Sequence, residues 1–200
     1  MSPIIRVAST EDAASIAEIY APAVTEHATS FEITAPDARE MSSRVSKILP
    51  QYPWLVCESG GEVIGYAYAS AHRDRAAYRW SVDVSAYISA KVHRRGVGTA
   101  LYAALFEILV LQRYRNAYAG ITLPNSASEG MHGRAGFTLV GVYHHVGYKF
   151  GAWHDVGWFE RSLIPPVANP PEPISFADIR NSKEVSNALA RGQSLLKKLS

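Results

Sequence analysis

The chain has 200 residues, of which 48% are hydrophobic and 19% are charged, a composition typical of one well-packed domain rather than of a disordered or fibrous protein. Its formal net charge of +2 arises near the C-terminus, since residues 176–200 carry five Lys or Arg and two Asp or Glu, whereas residues 1–175 carry 15 and 16. The body therefore has no basic excess, and we expect no nucleic-acid partner.

The N-terminal sequence and the single cysteine indicate a cellular location. "MSPIIRVASTEDAAS" lacks a basic segment followed by a long apolar stretch, and no apolar run has the length of a membrane span, so we expect a soluble cytoplasmic protein. Cys57 lies in the apolar run "PWLVCES". This position favours a buried side chain over a reactive thiol, and one cysteine allows no disulfide within the chain.

The first half of the sequence predicts a strand, two helices and three further strands. "IIRVAS" is typical of a strand, and a helix is predicted from Thr10 to about His27, because Thr10 and the acidic residues after it favour a helix start. A second helix is predicted from Asp37 to Leu49, with Pro36 in its first turn. "WLVCES" and "EVIGYAYAS", separated by "GG", indicate a hairpin. "AAYRWSVDVSAYIS" alternates and predicts a strand with one polar face.

The second half predicts a long helix, a strand, a short helix and two strands. The long helix runs from Gly98 to about Gln112, and apolar residues surround it, so we expect it to be buried on more than one side. "AYAGITL" predicts a strand and "NSASEGMHGRAGF" a short helix closed by Gly136. The segment from Thr138 to Leu163 predicts two strands around a Gly-rich turn.

This order of elements predicts an α/β (α+β) fold in which helices pack on a mixed sheet. Residues 1–166 are expected to form the domain, and residues 167–175 to form a stiff, Pro-rich linker within "IPPVANPPEP". Residues 176–200 are then a C-terminal extension. Its apolar residues favour an amphipathic helix, although Gly192 counts against one.

The segment "KVHRRGVG" lies between a predicted strand and the long helix. Its spacing is neither the Rossmann G-x-G-x-x-G nor a Walker loop. A helix N-terminus offers unpaired amides, glycine lets an anion approach, and Lys91, Arg94 and Arg95 add positive charge. On these grounds phosphate binding is only slightly favoured over an empty turn.

Several motifs together resemble one enzyme family. "HRRGVGTALY" resembles the acyl-CoA pyrophosphate loop, Q/R-x-x-G-x-G/A, of the GNAT acetyltransferase superfamily, with His93 at the Gln/Arg position. "HRDRAAYRWSVDVSAYIS", "LPNSASEGMHGRAGF" and "VGYKFGAWHDVGWFE" resemble its phosphinothricin and methionine-sulfoximine N-acetyltransferases. The similarity runs from about residue 4 to Pro166.

The resemblance implies a GNAT fold, with a mixed, mostly antiparallel central sheet flanked by helices, and a homodimer. It implies that acetyl-CoA is the co-substrate and that the acetyl group goes to the α-amine of a small amino acid such as phosphinothricin, methionine sulfoximine or methionine sulfone. Gly133 and Ala135 replace the Glu and Leu of the usual "HEALG"-type segment, so another small amine is one alternative. A non-catalytic acyl-CoA-binding module is a second, because the family usually has Glu where this chain has Asp83.

The resemblance also assigns catalytic roles. Asp83 matches the carboxylate that takes the proton from the substrate ammonium, although alternation alone would place it on the solvent side of the sheet. His132 matches the residue that protonates the departing thiolate, and it is assigned as a supporting acid/base. Considered by itself, His132 would be a surface or packed histidine.

The resemblance implies two sets of binding residues. In the family the strand before the loop splays at a bulge, where backbone groups hold the pantetheine arm and an amide faces the thioester oxygen. Asn125 and Ser128 are also compatible with helix capping. The cofactor set is Tyr87, Ile88, Arg94, Arg95, Gly96, Val97, Gly98, Thr99, Asn125 and Ser128.

The substrate set is Phe31, Arg73, Arg75 and Tyr78. An arginine fork suits carboxylate or phosphinate oxygens, although exposed arginines are usually just solvated. The segment around Trp153 resembles the hairpin that lies near the family's dimer interface. We assign no metal site to His144, His145 and His154, because their spacing lacks suitable partner ligands.

Overall fold

The computed structural model describes residues 2–92 and 95–196. Within them, seven strands form one sheet, and they are β1 (Ile4–Val7), β2 (Trp54–Ser59), β3 (Glu62–Ala71), β4 (Ser81–Ile88), β5 (Asn116–Leu123), β6 (Thr138–Lys149) and β7 (Ala152–Ser162). Their order is β1-β2-β3-β4-β5-β7-β6, and every neighbouring pair is antiparallel except β4 and β5. The predicted mixed, mostly antiparallel sheet is confirmed.

Helices cover both faces of this sheet. Those in the described residues are α1 (Ala13–Thr25), α2 (Ala38–Ile48), α3 (Val97–Leu111), α4 (Ser126–Arg134), α5 (Phe176–Ile179) and α6 (Lys183–Ser194). One apolar layer lies between the sheet and α1 and α2, and the other surrounds α3. None of these helices has both the length and the apolar character of a membrane span.

Three local predictions differ from the structure. A short 3-10 turn, Thr10–Asp12, precedes α1, because Ser9 and Asp12 form a capping box there. The N-cap of α2 is Asp37, whose carboxylate accepts from the Glu40 amide, so Pro36 lies before the cap and not in the first turn. The strand predicted from Ala76 begins only at Ser81, because residues 76–78 form another 3-10 turn.

Helix α3 is buried on more than one side, as its composition predicts. Leu101, Leu105 and Ile108 are fully buried in the layer against the sheet. On another side of α3 lies α6, which approaches so closely that a Cβ on Gly192 would stand 2.7 Å from the Ala100 carbonyl oxygen. Gly192 therefore does not end the helix and instead allows two helix backbones to meet.

The C-terminal extension is part of the core. Phe176, Val185 and Ala188 are almost completely inaccessible to solvent and belong to the layer around α3. Helices α5 and α6 thus replace the single helix expected over residues 176–200.

The segment expected as a stiff, Pro-rich linker, residues 167–175, forms hydrogen bonds and an ion pair with the body. The Trp80 indole donates to the Pro171 carbonyl at 2.9 Å, Arg79 forms an ion pair with Glu172, and the Ile174 amide donates to the Gln112 carbonyl at 3.0 Å. Residues 171–174 of the linker are therefore held on the domain.

Candidate active site

The strands β4 and β5 diverge and open a cleft in the sheet. Their parallel ladder covers only three pairs, from Ser81 with Asn116 to Asp83 with Tyr118. Beyond that point β4 continues its ladder with β3 and β5 continues its ladder with β7. The predicted splay is confirmed, whereas the expected bulge is absent from the continuous β3–β4 register. A gap at the carboxyl ends of parallel strands is a common ligand site.

Helix α3 begins beside this cleft. Gly96 is its N-cap and has a φ of +83°, a backbone conformation that favours glycine. The first turn contains Val97, Gly98 and Thr99, and Thr99 is exposed. Amide groups in a first turn have no partner within their own helix, so this end favours an anion. Of the predicted arginines, Arg95 is exposed and Arg94, like His93, lies outside the described residues.

The second glycine of the loop serves helix packing. A Cβ on Gly98 would lie 2.5 Å from the sulfur of Met131 in α4 and 3.7 Å from the Ile88 side chain. The end of β4, the start of α3 and helix α4 therefore meet at Gly98. Tyr87 points to the other face of the sheet, where its ring lies 4.9 Å from that of Tyr20.

Asp83 lies where the β4–β5 ladder ends. Val82 and Val84 face the apolar layer around α3, so Asp83 between them projects from the opposite face. Its Oδ1 atom is 2.6 Å from His72 Nδ1, and 30% of its side chain is exposed. Burial raises the pKa of Asp83 above its ordinary value, and the hydrogen bond from His72 acts against that rise. The group thus has a raised affinity for a proton at the edge of the cleft.

An aromatic box surrounds this carboxylate and its histidine partner. The His72 ring stacks on Tyr118 at 4.3 Å between centroids and meets Trp158 and Tyr78 edge-on at 6.1 and 6.0 Å. The Arg73 guanidinium lies 5.3 Å from the centre of a Trp158 ring. Two predicted substrate residues, Arg73 and Tyr78, are therefore brought to the group of side chains around His72, the partner of Asp83.

The other two predicted substrate residues lie further out. Arg75 is exposed, and its backbone carbonyl accepts a hydrogen bond from the Tyr78 amide. Phe31 is in the α1–α2 loop, with its ring over Gly147 of β6 and 6.2 Å from that of His154. Among the described residues, no recorded contact joins Phe31 or Arg75 to Asp83.

The loop that carries Phe31 is fixed on both sides of that residue. On one side, the buried Lys149 ammonium donates to the Ser30 carbonyl at 2.6 Å. On the other, the Glu32 carboxylate accepts from Arg44 at 2.7 and 2.9 Å and from the Tyr20 hydroxyl at 2.8 Å. The position of the Phe31 backbone is therefore set by the structure.

His132 lies on the α3 side of the sheet and is buried. Its Nδ1 atom donates to the Ser128 carbonyl at 2.9 Å, because a carbonyl can only accept, and its Nε2 atom accepts from the Tyr102 hydroxyl at 3.0 Å. Burial lowers the pKa of His132. Asn125 caps α4 by accepting from the Ser128 amide at 3.1 Å. In this arrangement His132 is neutral and both ring nitrogens are bonded.

Two other kinds of reactive site are a cysteine thiol and a cluster of metal ligands. Burial raises the pKa of the Cys57 thiol to about 11, in agreement with an inert core cysteine. Among residues 2–92 and 95–196, no three His, Cys, Asp or Glu side chains converge as metal ligands would.

A family model described as an acetyltransferase (GNAT) domain matches residues 5–158. The chain belongs to the GNAT acetyltransferase family. A phosphinothricin N-acetyltransferase of Streptomyces viridochromogenes is 34% identical over 85% of this chain and 92% of its own length. An L-methionine sulfoximine/L-methionine sulfone acetyltransferase of Pseudomonas paraeruginosa is 33% identical over 85% of this chain and 100% of its own.

A solved structure of the same GNAT superfamily resembles this acetyltransferase closely. It is a phosphinothricin acetyltransferase from Sinorhizobium meliloti in complex with AcCoA, and it superposes with a TM-score of 0.79 at 34% identity over 90% of this chain and 98% of its own. The GNAT fold predicted from the motifs is thus confirmed.

As a GNAT enzyme, the protein takes its acetyl group from acetyl-CoA, an activated thioester. The described residues fit that co-substrate, since the splayed β4–β5 cleft can admit an extended arm and the first turn of α3 can face a pyrophosphate. Val97, Gly98 and Thr99 would supply amides to the phosphates, and the end of β4 at Tyr87 and Ile88 would line the arm.

His72 and Trp158 are site residues that the sequence did not single out. His72 follows the end of β3, near Asp83 in the sequence. Trp158 lies in β7, far from Asp83 along the chain. The β3–β4 register could have revealed His72, because Ala71 pairs with Val82. No spacing signal pointed to Trp158.

Proposed function

We propose that this enzyme acetylates the α-amine of a small amino acid of the phosphinothricin, methionine sulfoximine or methionine sulfone type. The observation that carries the proposal is a carboxylate, Asp83, at the fork of the two strands, with a guanidinium, Arg73, held beside it by Trp158. The first group can take a proton from an ammonium, and the second can bind a carboxylate or phosphinate. The names of the relatives support the same substrate class.

The transfer forms one C–N bond and breaks one C–S bond. The substrate ammonium must first lose a proton, and we propose that Asp83 accepts it; burial raises the pKa of this carboxylate, which supports that role. A backbone amide at the end of β4 would stabilise negative charge on the acetyl oxygen. One proton ends on the released thiol and the other passes to solvent, so the reaction is balanced.

The role of His132 is proposed with one condition. In the resting geometry its Nε2 atom accepts from Tyr102 and carries no proton for a thiolate. We infer that His132 holds α4 against α3, and that its supporting acid/base role requires the Tyr102 hydroxyl to turn away first.

A substrate panel tests the proposed function. Purified protein is supplied with acetyl-CoA and phosphinothricin, methionine sulfoximine, methionine sulfone or common amino acids, and free CoA is measured. Acetylation of the first three supports the proposal, whereas activity only on other amines favours the alternative of another small amine. Binding of acetyl-CoA without turnover across a broad amine panel would favour a non-catalytic module.

Substitution of Asp83 tests its role as the base. Asp83→Asn keeps the size and removes the proton acceptor, so kcat is expected to fall about 100-fold or more, with little change in acetyl-CoA binding. The matched control is Asp74→Asn, which changes an exposed carboxylate in the neighbouring loop and is expected to keep full activity. Full activity in Asp83→Asn would show that another group is the base.

We further propose that the protein is a homodimer through the β6–β7 hairpin. β6 is an edge strand of the sheet, and edge strands that expose apolar side chains tend to be covered. Large apolar side chains that are half or more exposed cluster here, and they are Leu139, Val140, Tyr143, Val146, Tyr148, Phe150 and Trp153.

A matched pair of lysine substitutions tests the dimer. Val146 is 50% exposed on β6 and Val167 is 52% exposed on the segment after β7. Val146→Lys is expected to shift the sedimenting species from dimer to monomer, whereas Val167→Lys leaves it unchanged. A wild-type protein that sediments as a monomer at micromolar concentration would refute the proposal.

We also propose a cytoplasmic location, because acetyl-CoA is a metabolite of the cell interior. Fractionation of cells with an antibody to the protein tests it, and recovery outside the cytoplasmic fraction would contradict it.

A further inference from the structure

His72 contacts the proposed catalytic carboxylate directly. Its Nδ1 atom is 2.6 Å from Asp83 Oδ1, and only 12% of the histidine side chain is exposed. The ring stacks on Tyr118 and meets Trp158 and Tyr78 edge-on. Three aromatic contacts thus set the plane of the imidazole and direct Nδ1 at the carboxylate.

The chemistry of this pair gives the hydrogen bond a direction. An ionised carboxylate only accepts hydrogen bonds, so Nδ1 carries the proton. Charge-assisted bonds of this kind are short and strong. Other charged and titratable groups around the pair are Arg73 and Tyr78 in the segment between β3 and β4, Tyr68 of β3, Tyr118 of β5 and, next to Tyr118, Glu160 of β7.

An aspartate in this position needs such a partner. Its carboxylate is one methylene closer to the backbone than that of a glutamate, so it has less reach, and its proton transfer depends on a correctly oriented oxygen. Asp83 is also partly buried, which favours its protonated and inactive form. A fixed hydrogen-bond donor on Oδ1 orients the carboxylate, and it also stabilises the ionised form against burial.

We propose that His72 is a positioning residue for acetyl transfer, whose Nδ1–H group holds Asp83 Oδ1 and leaves Oδ2 to accept the proton of the substrate ammonium. The proton moves from nitrogen to Oδ2, and His72 keeps its own proton throughout. This inference rests on the proposed function, since it assumes that Asp83 is the base.

Two substitutions of His72 separate the donor from the ring. His72→Phe keeps an aromatic ring and removes the donor, so kcat/KM for the amino acid is expected to fall about tenfold to 100-fold, as loss of a hydrogen bond to a charged group does. The acid limb of the pH profile is expected to move to higher pH, because Asp83 loses the bond that opposes its protonation. His72→Asn places an amide donor near the position of Nδ1, and it is expected to restore most of the rate and the wild-type limb.

A matched control uses another His–Asp pair, on the β6–β7 hairpin. His144 Nδ1 lies 2.8 Å from Asp155 on the exposed hairpin. His144→Phe removes this pair and is expected to leave the acid limb of the pH profile in place. A shift of that limb in His72→Phe then comes from the candidate site.

The outcomes that overturn the proposal are distinct from failure of the proposed function. A wild-type rate and pH profile in His72→Phe would overturn the proposal. So would a His72→Asn variant as slow as His72→Phe, because the histidine would then transfer the substrate proton itself instead of only donating a hydrogen bond. Activity of Asp83→Asn equal to wild type would instead refute the proposed base. Nitrogen-15 spectra of the imidazoles give a readout without turnover: a protonated Nδ1 on His72 that changes in Asp83→Asn supports the pair, and an unprotonated Nδ1 refutes it.

Discussion

Gly147 determines where the Phe31 ring can lie, and its substitution by alanine tests whether that ring helps to close the substrate pocket, as the family resemblance implies. A Cβ at this position would stand 2.7 Å from Cδ2 of Phe31 and closer still to Cε2 and Cζ. Ordinary contact begins at about 3.4 Å, so the ring edge must move by about 0.7 Å and its tip by more. The backbone beside the ring cannot follow, since Ser30 and Glu32 are both bonded to other elements.

The ring itself can turn outward, because it is already 37% exposed. We therefore expect Gly147→Ala to change the free energy of unfolding by less than about 1 kcal/mol. If the displaced ring no longer covers the substrate and about half of the free energy of burying a Phe is lost, about 1.4 kcal/mol, KM for the amino acid rises about tenfold. KM for acetyl-CoA should stay unchanged.

Steady-state kinetics with each substrate varied in turn measures both effects. The matched control is Gly141→Ala, on the same strand, where a Cβ would meet no atom within 4 Å. An amino-acid KM in Gly147→Ala equal to that of Gly141→Ala would refute a role for Phe31 in closing the pocket. A large loss of stability would refute the view that the ring turns freely.

Two further predictions concern stability. Gly192→Ala forces α6 from α3, and overpacking of about 1–3 kcal/mol outweighs a gain in helix propensity of about 1 kcal/mol, so the free energy of unfolding falls by up to about 2 kcal/mol and Tm by up to about 8 °C. Gly133→Ala in α4, where a Cβ has open space, is expected to raise Tm slightly. Equal shifts in calorimetry would contradict the close packing. The hydrogen bond from Arg44 holds the pKa of Glu32 below its ordinary value of 4.5, so its stabilisation is present above about pH 4.5 and is lost as the pH falls through the folded pKa. The difference in unfolding free energy between wild type and Glu32→Gln should therefore shrink below that pH, and a constant difference from pH 3 to 7 would argue against it.

The sheet and the loop were predictable because they depend on local patterns. The alternation around Val82 and Val84 predicted β4 and its polar face. The resemblance of "HRRGVGTALY" to a known loop predicted the fold and the family. Both signals lie within a few consecutive residues of the sequence.

The composition of the site was less predictable, because it depends on register and on packing between distant elements. His72 reaches Asp83 only because β3 and β4 pair with Ala71 opposite Val82. Gly98 was expected to make room for an anion, a role that stays a prediction, whereas the structure shows that it makes room for Met131. A glycine in the sequence does not reveal that second contact. Trp158 comes to Arg73 through the pairing of β5 with β7.

Helix α6 completes a core to which β1, near the start of the sequence, also contributes. The amide of Ile5 donates to the Gln193 side chain at 3.4 Å, and α6 covers α3. During synthesis on the ribosome α3 is made well before α6, so the apolar surface of α3 that faces α6 stays uncovered until residues 183–194 have been made. A stop codon anywhere from residue 176 to residue 185 would then remove buried side chains of the core, and the truncated product should be degraded instead of working at reduced rate.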